Sequence, residues 1–126
     1  MNSRTKGFTL IELLVVMVVI ATLLTIAAPR YFQHLDRAKE ASLRESLAVM
    51  RDAVDKYRGD TGRYPETLEE LVTKRYLRKV PPDPITESTD SWVIVPPPDS
   101  PGSRRVWDIR SGAEGQGLNG SDYSTW

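Results

Sequence analysis

At 126 residues the chain has room for one small domain, and its 40% hydrophobic and 8% aromatic content is that of a folded protein rather than a disordered one. With 17 Lys and Arg against 17 Asp and Glu the formal charge is zero, so the basic footprint of a nucleic-acid-binding protein is missing. Cysteine is absent, which excludes disulfides, thiol catalysis and thiolate metal sites but does not fix the compartment.

The first element is apolar. Phe8 to Ala28 holds a single charge, Glu12, and as a helix rising about 1.5 Å per residue the segment would span roughly 31 Å, enough to cross a bilayer. The preceding stretch carries Arg4 and Lys6, and the positive-inside tendency predicts a cytoplasmic N-terminus and an extracytoplasmic remainder. An ordinary secretory signal peptide is the competing reading, with Ile26-Ala27-Ala28 as its cleavage site. Its apolar core is shorter, however, about 7–15 residues, and carries no carboxylate near its start. A plain permanent anchor explains the length but leaves Glu12 without a purpose. An ionised carboxylate inside a membrane helix costs about 2.5–3.5 kcal/mol on insertion scales and is kept where a partner neutralises it. Cleavage between Gly7 and Phe8 would create such a partner, a positive α-amine one helical turn from Glu12. Staggered subunits could then pair Glu12 of one chain with the Phe8 amine of the next, which would set their register.

The run Gly7-Phe8-Thr9-Leu10-Ile11-Glu12 followed by an apolar helix resembles the N-terminal motif of the type IV pilin and pseudopilin family. The resemblance implies that a prepilin peptidase cuts after Gly7, that Phe8 becomes N-methylated, and that Glu12 guides assembly. Pro29 also matches the family pattern. Proline within a helix removes one backbone bond, so Pro29 is expected to kink or locally weaken the helix.

From Tyr31 the pattern becomes amphipathic. Leu43, Leu47, Met50, Val54 and Tyr57 form a helical stripe facing a small core. Asp36 and Glu40, with Arg37, Lys39 and Arg44, are assigned to the solvated faces. Gly59 and Gly62 are expected to end this helix. Thr67 with Glu70 reads as a capping box opening a second helix of about ten residues. Pro81-Pro82-Asp83-Pro84 predicts an extended turn. Two strands are expected at Trp92 to Val95 and Val106 to Arg110, pairing as an antiparallel hairpin, with Trp92 and Trp107 as core anchors.

The predicted fold class is therefore α+β and pilin-like: a long N-terminal helix, half transmembrane and half amphipathic, packed against a small head with a short helix and a β-hairpin. The expected divisions are a cleaved leader at 1–7, a transmembrane and assembly helix at 8–28, its amphipathic continuation at 29–58, and a head at 59–126 with a Gly-rich C-terminal loop. Losing the leader with Arg4 and Lys6 would leave 15 basic against 17 acidic residues, a charge of −2.

The order of elements in the head looks like that of the G-type major pseudopilins of type II secretion systems, including the turn at Asp83-Pro84 followed by the aromatic Trp92. That family binds calcium in a C-terminal loop, to which Gly112-Ala113-Glu114-Gly115, Ser121-Asp122 and Trp126 correspond here. Glu114, Asn119, Ser121 and Asp122 offer oxygen ligands of the kind calcium prefers; Glu114 and Asp122 are the candidate carboxylates, and calcium is the one cofactor suggested. The resemblance implies a homo-oligomeric helical filament in the periplasm, anchored before assembly in the bacterial inner membrane with its N-terminus cytoplasmic and its head periplasmic. Its implied partners are the peptidase, an inner-membrane assembly platform with a cytoplasmic motor, minor pseudopilins and an outer-membrane channel. A type IV pilus or competence-fibre pilin is the alternative. An enzyme is not expected: the single histidine, His34, lies on the charged helix, and no spacing argues for a serine–lysine pair.

Overall fold

In a computed structural model of the chain, residues 7–126 are described, so all of the expected leader except Gly7 lies outside the described residues. Two compact units are present, one ending at Leu35 and the other spanning Asp36–Trp126. Helix α1, Leu10–Thr61, contributes to both and contains Pro29. In the first unit its large apolar side chains are exposed, and the helix is long and apolar enough to cross a membrane. Thr22 and Thr25 donate their hydroxyls to the Val18 and Thr22 carbonyls, so neither brings an unpaired polar group to the apolar face.

The second unit is built on the stripe. Leu43, Leu47, Met50, Ala53, Val54 and Tyr57 of α1 form one core with Leu68, Leu71, Leu77, Trp92, Val106 and Ile109. Gly59 lies inside α1, and the chain turns instead at Gly62, whose φ of 73° suits a residue without Cβ. Helix α2, Leu68–Thr73, is six residues long, shorter than expected. Thr67 caps it, accepting from the Glu70 amide at 3.1 Å, but the Glu70 carboxylate reaches the Glu66 amide rather than that of Thr67. Its early stop is a Schellman turn: the Tyr76 amide bonds the Leu71 carbonyl and the Arg75 amide that of Val72. Arg75 occupies the left-handed position there, with φ 66°.

The Tyr57 hydroxyl donates to the other Glu70 oxygen at 2.5 Å, tying α1 to α2. This bond first, and the Glu66 amide second, hold the Glu70 carboxyl below its usual range. The same bond raises the Tyr57 phenol. A carboxyl depressed by folding stabilises the native state above its unfolded pKa, about 4.3, and that contribution is lost as pH falls through the lower folded value. Tyr57→Phe should therefore flatten the decline of melting temperature on acidification below about pH 4.3, measured side by side with the parent chain.

Strands β1, Val93–Val95, and β2, Asp108–Arg110, pair antiparallel with Ile94 opposite Ile109. Both are shorter than expected. Trp92 is buried at 8% exposure, but Trp107 is 38% exposed and is not a core anchor. Val106 takes that place because its amide bonds the Pro65 carbonyl at 2.8 Å, drawing the chain inward one residue before Trp107. Asp83, fully buried, organises the proline-rich turn: its Oδ1 accepts from the Ile85 and Thr86 amides, and its Oδ2 accepts from the Ser111 hydroxyl at 2.5 Å.

Candidate functional site

The N-terminal candidates cluster at the first turn of α1. Gly7 has open space around it, and Phe8 is 81% exposed. Thr9 precedes the helix and Glu12 is its third residue, and the two make a reciprocal capping box. The Glu12 amide donates to Thr9 Oγ1, while the Thr9 amide donates to Glu12 Oε2, each at 3.2 Å. This feature was missed in the sequence, although Thr9-x-x-Glu12 carries the same signature as Thr67-x-x-Glu70. The box holds one carboxylate oxygen at the helix N-terminus, where the macrodipole favours negative charge. It also places the carboxylate beside Phe8, the residue that would carry a new amine after cleavage. Pro29 lies within α1, and His34 is exposed.

At the other end, Glu114 and Asp122 border one open groove together with Ser111 and Ser124. Asn119 and Ser121 border a different groove, beside Arg44 and Arg51. Their oxygens are already engaged: Asn119 Oδ1 accepts from the Ser121 amide and hydroxyl, and Ser121 Oγ accepts from Trp126 Nε1. Calcium takes six to eight oxygens. Among the described residues no group of three or more His, Asp or Glu comes together to hold a metal. The two candidate ligands, Glu114 and Asp122, share one groove, with the Ser111 and Ser124 side chains beside them.

One side chain was assigned wrongly. Glu40, placed on the solvated face, is buried at 7% exposure. Its Oε1 accepts from the Leu118 amide at 2.7 Å and from the Tyr123 hydroxyl at 3.1 Å. Its spacing was the available signal, since Glu40 precedes Leu43 by three and Leu47 by seven, continuing the buried stripe toward the N-terminus.

An exposed apolar helix bearing one capped carboxylate, leading into a small α+β head, defines a pilin-like membrane-anchored subunit. Comparison with known proteins narrows the class. Residues 2–28 match the prokaryotic N-terminal methylation motif, and residues 30–125 match the model of type II secretion system protein G. The chain belongs to that protein G family. Among its relatives, the type II secretion system core protein G of Klebsiella michiganensis is 30% identical over 96% of this chain and 92% of the relative. The protein of the same name from Pseudomonas aeruginosa is 31% identical, covering 96% and 94%, and that from Escherichia coli is 26% identical, covering 99% and 93%. No solved structure gives a significant match.

Proposed function

We propose that this chain is the major pseudopilin of a type II secretion system, a structural subunit that polymerises into a periplasmic fibre. The observation that carries the reading is the family match over residues 30–125, joined to an apolar stretch, residues 8–28, whose only charge is Glu12. In this reading residues 1–7 are a leader removed by a prepilin peptidase, and Phe8 is the N-methylated first residue of the mature chain. Residues 8–28 hold the subunit in the inner membrane, 29–58 continue the helix past Pro29, where a kink is proposed, and 59–126 form the periplasmic head. Assembly pairs Glu12 with the Phe8 amine of a neighbour as the platform adds subunits, and the growing fibre pushes folded substrates toward an outer-membrane channel. The work is mechanical, and no residue is assigned a catalytic role.

Deleting the gene in its host tests the reading. Specific folded proteins should disappear from the culture supernatant and accumulate in the periplasm, with surface fibres unaffected. Loss of surface fibres with unchanged secretion would instead establish the pilus alternative.

A further inference from the structure

Helix α1 does not stop where its apolar run ends. Beyond Ala28 it continues through Pro29, and the next two turns carry large side chains that no core receives. Tyr31 and Phe32 are 65% and 61% exposed, and their rings meet edge to face at 5.8 Å. Leu35, four residues on from Tyr31, is also exposed. Arg30 and His34, likewise four apart, are exposed along the neighbouring side of the helix. Among the described residues no ion pair engages Arg30. Adjacent aromatics with no core to join mark an interaction surface, and the guanidinium beside them calls for an anion.

We propose that Arg30, Tyr31, Phe32 and Leu35 form an interfacial anchor that docks on the phospholipid headgroups at the outer face of the inner membrane, with Arg30 on a lipid phosphate. The inference rests on the reading that residues 8–28 span that membrane. Continuity with the span selects lipid as the occupant. At 1.5 Å per residue Tyr31 lies about 4.5 Å beyond Ala28, inside a headgroup layer roughly 5–7 Å deep. Side chains of an α-helix tilt toward its N-terminus, so the two rings and Leu35 lean back toward the hydrocarbon. Aromatic side chains favour that boundary, and arginine lays its stem along the lipid tails while its planar head pairs with phosphate. The anchor also fixes depth. Arg30 follows Glu12 by 18 residues, roughly 27 Å of helix against a hydrocarbon layer of about 30 Å. Arg30 held at the outer boundary therefore keeps Glu12 just within the inner one. The carboxylate is drawn toward cytoplasmic water, but sliding that way would drag Arg30 into hydrocarbon, so each charge opposes the other's escape.

Because the chain has no cysteine, a single spin label can be placed at Val16→Cys, one turn inside Glu12. The intact chain is reconstituted in vesicles of phosphatidylglycerol and phosphatidylcholine, and the label's depth is read from its collisions with oxygen and with a water-soluble nickel chelate. Replacing Arg30, Tyr31 and Phe32 together by leucine lengthens the apolar run and frees the helix to slide, so the label should move toward the nearer headgroup surface by about 5 Å, one helical turn. Arg30→Lys, which keeps the charge, should hold the original depth. The replaced side chains are exposed, so the head's core is untouched. A label buried in the unsubstituted chain and unmoved in the leucine variant would overturn the anchor while leaving the membrane-spanning reading intact. A water-accessible label in the unsubstituted chain would overturn that reading itself. Carbon–phosphorus dipolar contact between labelled arginine and lipid phosphate should weaken in Arg30→Leu, and undiminished contact would overturn the phosphate assignment.

Discussion

Replacing Glu12 by alanine should give a chain that inserts in the membrane and is processed normally but no longer enters fibres. The membrane steps favour the variant, because an apolar residue removes the cost of burying a carboxylate, about 2.5–3.5 kcal/mol on insertion scales. Anchoring is therefore expected to hold or strengthen while assembly is lost, and that opposite movement separates a defect in subunit pairing from simple misfolding. Glu12→Gln divides the role further. Glutamine can still accept from the Thr9 amide and preserve the capping box seen at the helix start, but it carries no charge for a neighbour's amine. If the charge pair sets register, Gln should fail nearly as badly as Ala. If the cap alone matters, Gln should assemble. Fractionation of membranes and sheared fibres reads both outcomes, and abundant normal fibres from Glu12→Ala would falsify the role assigned to this carboxylate.

Much of this architecture was legible because it rests on periodicity. The apolar run before Pro29 and the stripe from Leu43 to Tyr57 each follow from spacing, and the stripe is buried in the structure. Polar residues were harder to read. Glu40 is charged, and charge on a helix ordinarily marks a wet face, yet it occupies a buried position because the C-terminal arm brings an amide and a phenol to it from 78 and 83 residues away. No local pattern announces partners so distant. Arg51 is the same case, since its acceptors at Asp108, Ile109 and Trp126 come together only when the hairpin and the arm fold back on α1. Trp107 shows the reverse error. Its size suggested a core role, but the Val106 bond to Pro65 sets which residue turns inward, and that bond belongs to tertiary structure. In the C-terminal loop Glu114 and Asp122 share one groove while Asn119 and Ser121 line another, a division no sequence pattern announces, because the turn at Asn119 and the Trp126 indole engage the second pair.

Asp83→Ala should be among the most damaging substitutions in the head. The carboxylate is completely buried and accepts from the Ile85 and Thr86 amides and from the Ser111 hydroxyl. Ser111 is itself buried and in turn accepts from the Ala113 amide, so one side chain links the proline-rich turn to the start of the C-terminal arm. Alanine removes every acceptor and strands buried donors, at a cost of about 2–4 kcal/mol. A small domain without disulfides sits near the lower end of the usual 5–15 kcal/mol of stability, so such a loss removes much of it. The melting temperature of the intact chain in detergent should fall on the order of 10–20 °C. Asp83→Asn should fall by less, because its remaining carbonyl oxygen can still serve the two turn amides while only the Ser111 contact is disturbed. A drop of about 2 °C or less for the alanine variant would show that the turn closes without its carboxylate. The turn would then rest on its prolines and on the indole of Trp92, which donates to the Pro81 carbonyl at 2.8 Å.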